Sequence, residues 1–166
     1  MIMARIIPSA KRLFKFLDLE EEVPGEITGI EAGDIIFKKV NFSYDGRKIF
    51  NGLDIIIPKG SKVAIIGANG SGKSTIINLI LRFLEPKSGE IILNHENIQE
   101  LNLYEYRNLF SVVSQNPYLF SKTIKENIDL GDTDDEIKLT YVYQKSRIAT
   151  YLDKLPCKAN SLIGSN

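Results

Sequence analysis

The stretch "KVAIIGANGSGKSTIINLILRF", Lys62 to Phe83, decides how this chain is read. Its opening, "KVAIIG", is an apolar run that predicts a buried strand. Its continuation, "KSTIINLILRFL", places Ile76, Leu79, Ile80 and Phe83 on one helical stripe, and "EPKSGE" ends that helix. Between strand and helix, Gly67 to Ser74 fits the pattern G-x-x-x-x-G-K-[ST] of a phosphate-binding loop. Gly67, Gly70 and Gly72 let the backbone turn tightly, so that the N–H groups of Asn69, Gly70, Ser71 and Gly72 approach phosphate oxygens. The helix from Lys73 aims its partial positive end and its unpaired N–H groups at the same anion. Lys73 adds a full charge for the β- and γ-phosphates. Ser74 offers a hard oxygen for Mg²⁺, and Thr75 can donate towards the α-phosphate. The stretch is suited to hold a triphosphate.

The rest of the composition is ordinary and excludes several alternatives. The 166 residues are 43% hydrophobic and 25% charged, which suits one soluble globular domain. Zero formal net charge gives no global field to draw nucleic acid or an anionic membrane. A single cysteine, Cys157, and a single histidine, His95, exclude an internal disulfide framework and multi-histidine metal sites. No apolar run reaches the ~18 residues of a membrane span, so the chain is expected to be soluble. His95 reads as an exposed turn residue and Cys157 as an inert thiol.

Along the chain, Ile6, Ala10, Leu13, Phe14 and Leu17 predict a short amphipathic helix over residues 9–19. The acidic "DLEEEVPGEITGIEAGD" reads as a linker or exposed arm. "IIFKKVNFSY", a turn at Asp45-Gly46 and "KIFNGLDIIIP" predict a hairpin. "PKGS" predicts a second turn, "EIIL" a short strand and "FSVVSQ" another. Capping-box spacing at Asn102–Glu105, Thr123–Glu126 and Thr133–Glu136 marks the start of three helices.

On the residues "VNFSYDGRKIFNGLDIIIPKGSKVAIIGANGSGKSTIINLILRFLEPKSGEIILNHENI" and "YRNLFSVVSQNPYLFSKTIKENI", the chain resembles the nucleotide-binding domain of ABC transporters, in their exporter-type branch. The likeness runs from about Gly33 to Gly164. It implies an α/β fold: a P-loop NTPase-like core, an N-terminal antiparallel β layer and the start of a helical subdomain. Residues 1–32 resemble the connector from a membrane domain, and residues 33–166 the N-terminal portion of the nucleotide-binding domain.

The resemblance further implies ATP and Mg²⁺ as cofactors. Tyr44 matches the family's adenine-stacking aromatic, 23 residues before Gly67, and Gln115 matches the glutamine that contacts Mg²⁺ or the attacking water. Lys73 and Gln115 are the candidate catalytic contacts, and Ser74 and Gln115 the candidate metal contacts. The region of Tyr118, Leu119 and Phe120 matches the surface that docks a membrane domain, although a buried cluster within the domain is the competing reading. A second nucleotide-binding domain is the other implied partner, on the cytoplasmic side of a membrane.

The family's LSGGQ signature, its apolar strand ending in Asp, its catalytic Glu and its switch His have no match in these residues. The resemblance therefore implies a truncated domain that binds Mg-ATP and hydrolyses it poorly. The missing strand belongs beside the P-loop strand, so uncovered apolar side chains and marginal stability are expected there. A non-catalytic nucleotide-binding or interaction module is the alternative. A kinase or GTPase reading lacks an arginine-rich lid run or an N-K-x-D motif.

Overall fold

Antiparallel pairing begins where β-branched and aromatic residues concentrate. The computed structural model describes residues 11, 13–15, 17, 18, 22, 24–130 and 135–163. Strand β1 (Ile35–Tyr44) pairs with β2 (Arg47–Ile57) across the Asp45-Gly46 turn, with Tyr44 opposite Arg47. Both turn residues have positive φ, 41° and 85°, the backbone of a tight two-residue hairpin turn whose twist suits the flanking strands. On its other edge β1 pairs with β3 (Ser88–Leu93), which turns at Asn94-His95 into the short β4 (Glu96–Asn97). The sheet order is β2-β1-β3-β4.

A bulge in β1 sets which side chains face inward. Lys39 has φ 48°, and the pairing register shifts on both of its edges. Phe37 and Val40, three residues apart, are thereby both buried, which strict alternation would forbid. The interrupted ladder is satisfied by side chains: Asp54 Oδ1 accepts from Lys39 N at 2.8 Å, and Asn41 Oδ1 accepts from Gly52 N at 3.0 Å. Gly89, at φ 82°, passes so close that a Cβ there would lie 2.4 Å from the Lys39 carbonyl oxygen. Only glycine fits that approach.

Helix α1 (Lys73–Ile80) buries Thr75, Ile76, Leu79 and Ile80. Ile76, Leu79 and Ile80 belong to one core with Phe37, Val40, Phe42, Phe50, Ile91, Leu93, Ile98, Leu101 and Tyr106, the last on helix α2 (Leu103–Asn108). The predicted helical stripe is right except at Phe83, which is 60% exposed. The helix ends before it, with Arg82 at φ 55°, so Phe83 leaves the buried face. Asn102 caps α2 as its spacing predicts, accepting from Glu105 N at 3.1 Å. Glu105 does not complete that box; its carboxylate accepts from Gly29 N at 2.7 Å. The linker is thus partly anchored, with Ile27 N donating to Glu100 O and Ile27 O accepting from Asn102 N.

The chain divides into two compact units, residues 1–111 and 112–166. In the second, α3 (Ile124–Ile128) opens with a complete Thr123–Glu126 capping box. Helix α4 (Glu136–Lys145) is capped by Asp135, whose side chain accepts from Ile137 N and Lys138 N. The predicted cap Thr133 lies outside the described residues. A short α5 (Ala149–Leu152) and a 3₁₀ turn (Lys158–Asn160) complete the unit. His95 and Cys157 are exposed. Lys11, Leu13 to Lys15 and Leu17 are helical, while Ile6 and Ala10 lie outside the described residues.

Two predicted strands do not form. Residues 62–67 and 110–115 have no ladder partner among the described residues, and Ile66 is 91% and Val113 94% exposed. An apolar run predicts burial, but strand geometry needs a neighbour to take its N–H and C=O groups. The uncovered side chains expected beside the phosphate loop are there: Val63, Ile65 and Ile66. Among the described residues no helix is long and apolar enough to cross a membrane.

A candidate nucleotide-binding site at the start of the first long helix

Gly72 is the N-cap of α1, in the left-handed region at φ 96°. It brings no side chain to the first turn, and no acidic residue lies in that turn. Asn102, Thr123 and Asp135, by contrast, cap their helices with side-chain oxygens. The first N–H groups of α1 therefore carry a partial positive charge with no protein carboxylate or hydroxyl set against it. That arrangement suits an external anion.

Packing explains why residue 72 has no side chain. A Cβ on Gly72 would lie 2.6 Å from Phe50 Cζ and 2.7 Å from Ile49 Cγ2. The start of β2 thus packs against the loop at Gly72. Within the loop, Lys73 Nζ donates to Gly67 O at 2.9 Å and to Ala68 O at 2.7 Å. The ammonium is held over the glycine-rich segment by carbonyls, with no carboxylate paired to it among the described residues. Ser74 is exposed and Thr75 is buried. The hydroxyl at 74 is therefore the accessible one for a cation.

The far end of α1 is pinned by three donors. Tyr106 Oη donates to Ile80 O at 2.6 Å, Arg107 Nε to Leu81 O at 3.0 Å, and Arg107 Nη2 to Arg82 O at 3.0 Å. Arg82 Nη1 donates to Leu101 O at 2.8 Å. Cations at a helix C-terminus suit its partial negative charge. Burial raises the Tyr106 hydroxyl above its ordinary range and lowers Arg82 below its own. Arg107 also reaches the linker, bonding both oxygens of Glu22 at 2.6 and 2.7 Å, and its guanidinium lies 4.8 Å from the Phe83 ring centroid.

Those bonds from Arg107 hold the Glu22 carboxyl below its ordinary value of 4.5. A depressed carboxyl stabilises the fold above its unfolded value and loses that contribution as pH falls through the folded one. With the Glu22 side chain 57% exposed, the pair contributes on the order of 0.5–1 kcal/mol. Urea midpoints of wild type and Glu22→Gln should differ at pH 7 and converge as pH drops below about 4.5. A gap that stays constant down to pH 3 would mean that charge plays no part in it.

The other sequence candidates lie as follows. Tyr44 is 42% exposed at the end of β1, its ring 4.9 Å from Phe42 in an edge-on contact that leaves a face free for stacking. Gln115 is exposed in the second unit, outside any strand or helix. Tyr118, Leu119 and Phe120 are 81%, 55% and 45% exposed, which rules out the buried-cluster reading. Sequence reasoning missed Asn127. Its side chain accepts from Phe120 N at 2.8 Å and donates to Phe120 O at 3.0 Å, so it shapes that loop. An asparagine four positions after the cap Thr123 was the available signal.

The profile of the ABC transporter family matches residues 50–164. The chain belongs to the ABC transporter family. Among ABC relatives, it is 40% identical over 151 residues to the mitochondrial iron-sulfur clusters transporter ATM1 of Saccharomyces cerevisiae, covering 89% of this chain and 21% of that protein. It is 44% identical over 138 residues to a putative ABC transporter ATP-binding protein of Mycoplasma pneumoniae, covering 79% of this chain and 22% of the relative. Among solved structures, a bacterial Atm1-family ABC exporter with ATP bound superposes with a TM-score of 0.80 at 30% identity. That alignment covers 95% of this chain and 29% of the exporter chain. The expected fold and the exporter branch are therefore both borne out: this is ATP-binding-domain sequence of an exporter-type ABC protein. It spans between about an eighth and about a fifth of the curated relatives' length.

Proposed function

We propose that this chain binds Mg-ATP at the N-terminus of α1 and forms part of the engine of a membrane exporter. The observation that carries the reading is the cap-free start of α1, at Gly72, beside an ammonium held only by loop carbonyls. The backbone amides of residues 69–75 and Lys73 would hold the β- and γ-phosphates. Tyr44 would stack on adenine, and Ser74 would supply a protein oxygen to Mg²⁺. The ion, when bound, neutralises charge that builds on the phosphates during transfer. For Gln115 the ground is the family resemblance alone, which makes it a candidate contact to Mg²⁺ or the attacking water.

Calorimetric titration of the purified chain with Mg-ATP tests the binding claim. Tyr44→Ala should weaken binding about tenfold, whereas Tyr44→Phe should keep it within about twofold, because the ring face does the stacking. Equal losses in both variants would assign the effect to the hydroxyl and not to the ring. Coupling to transport through the exposed Tyr118–Phe120 surface, pairing with a second nucleotide-binding domain, and placement on the cytoplasmic face of a membrane complete the reading. The exposure of those three side chains supports it.

A further inference from the structure

The hairpin turn between β1 and β2 places a second cation at the phosphate loop. Arg47 is the first residue of β2 and pairs directly with Tyr44. Two and three residues on, Ile49 and Phe50 fill the space a Cβ on Gly72 would need, so the start of β2 runs along the loop. At the loop's tip, Arg47 Nη2 lies 3.8 Å from the position a Cβ would take on Gly70. Arg47 is exposed, and among the described residues no carboxylate or carbonyl accepts from it. It stands between the candidate adenine platform and the candidate phosphate cradle, next to a helix start without an acidic residue.

We propose that Arg47 is a phosphate-contacting residue, its guanidinium donating to non-bridging oxygens of the nucleotide's polyphosphate. This rests on the reading of residues 67–74 as the polyphosphate cradle. A planar guanidinium with several donors suits phosphate oxygens, and glycine at 70 leaves the path between them open. Arg47 then adds to affinity for the charged tail and adds nothing for the nucleoside. Its contribution weakens as salt rises, because the side chain is exposed.

The test is calorimetric titration of the 166-residue chain with Mg-ATP, inorganic tripolyphosphate and adenosine. Wild type, Arg47→Gln, Arg47→Lys and Lys73→Ala are compared, with thermal melts to confirm folding. Arg47→Gln should weaken Mg-ATP and tripolyphosphate by about tenfold, the low end for a charge-assisted hydrogen bond at an exposed site. Adenosine should bind as before, and Arg47→Lys should recover part of the loss. Unchanged Mg-ATP binding in Arg47→Gln, alongside loss in Lys73→Ala, overturns the role of Arg47 and leaves the nucleotide reading standing. An equal loss for adenosine also overturns it, because the effect would then pass through Tyr44. Absence of Mg-ATP binding in wild type overturns both together.

Discussion

Lys73→Ala is expected to lower Mg-ATP affinity by at least about a hundredfold while leaving the fold intact. The ammonium sits 2.9 and 2.7 Å from the Gly67 and Ala68 carbonyls, so its direction is set by the loop it serves. It is half-buried, with no carboxylate partner among the described residues, and a phosphate can displace those carbonyls for a stronger charge-assisted bond. Removing it leaves the backbone amides to hold a highly charged tail alone. Charge-assisted contacts to phosphate are worth about 1.5–3 kcal/mol each, and a lysine reaching two phosphates makes more than one. The Gly67 and Ala68 carbonyls are exposed, so water replaces the lost donor and stability should change little. Calorimetry gives the affinity, and a thermal melt gives the fold. Wild-type affinity in a folded Lys73→Ala chain would remove the ground for placing the phosphates here.

Tyr106→Ala should cost about 3–5 kcal/mol, a large part of the ~5–15 kcal/mol available to a domain. The residue is 0% exposed, its ring meets Phe110 edge-on at 5.0 Å, and its hydroxyl supplies the donor for Ile80 O. Truncation leaves a cavity and strips a donor from the C-terminal end of α1. Tyr106→Phe isolates the second effect: the ring stays, the buried carbonyl loses its bond, and about 1–3 kcal/mol should go. Urea denaturation separates the two variants by their midpoints at constant slope. Because this end of α1 is remote from its N-terminus, nucleotide affinity in folded Tyr106→Phe should stay within about threefold of wild type. An equal loss in the two variants would mean that ring packing contributes nothing beyond the hydroxyl.

Much of the local structure was legible because its causes are local. Asp45-Gly46 dictates a tight hairpin turn through its positive φ values. Thr123 and Glu126 close a capping box from within four residues. Asp135 caps its helix just as locally, with its side chain reaching Ile137 N and Lys138 N. The bulge at Lys39 had no local signature. It exists because Asp54 and Asn41 supply bonds from neighbouring strands and Gly89 leaves room.

By itself the sequence determined the family and the glycine-rich candidate loop with its lysine and hydroxyls, because glycine freedom, charge and hydroxyl chemistry belong to the residues wherever they sit. The tertiary structure alone decided which apolar residues are covered. Val63 to Ile66 lie exposed for want of a neighbouring strand, Phe83 turns outward under Arg107, and Glu105 serves the linker instead of its own helix. It also decided that Arg47 stands over Gly70. Burial and pairing are properties of two partners, and for Phe83, Glu105 and Gly70 the second partner lies far along the chain.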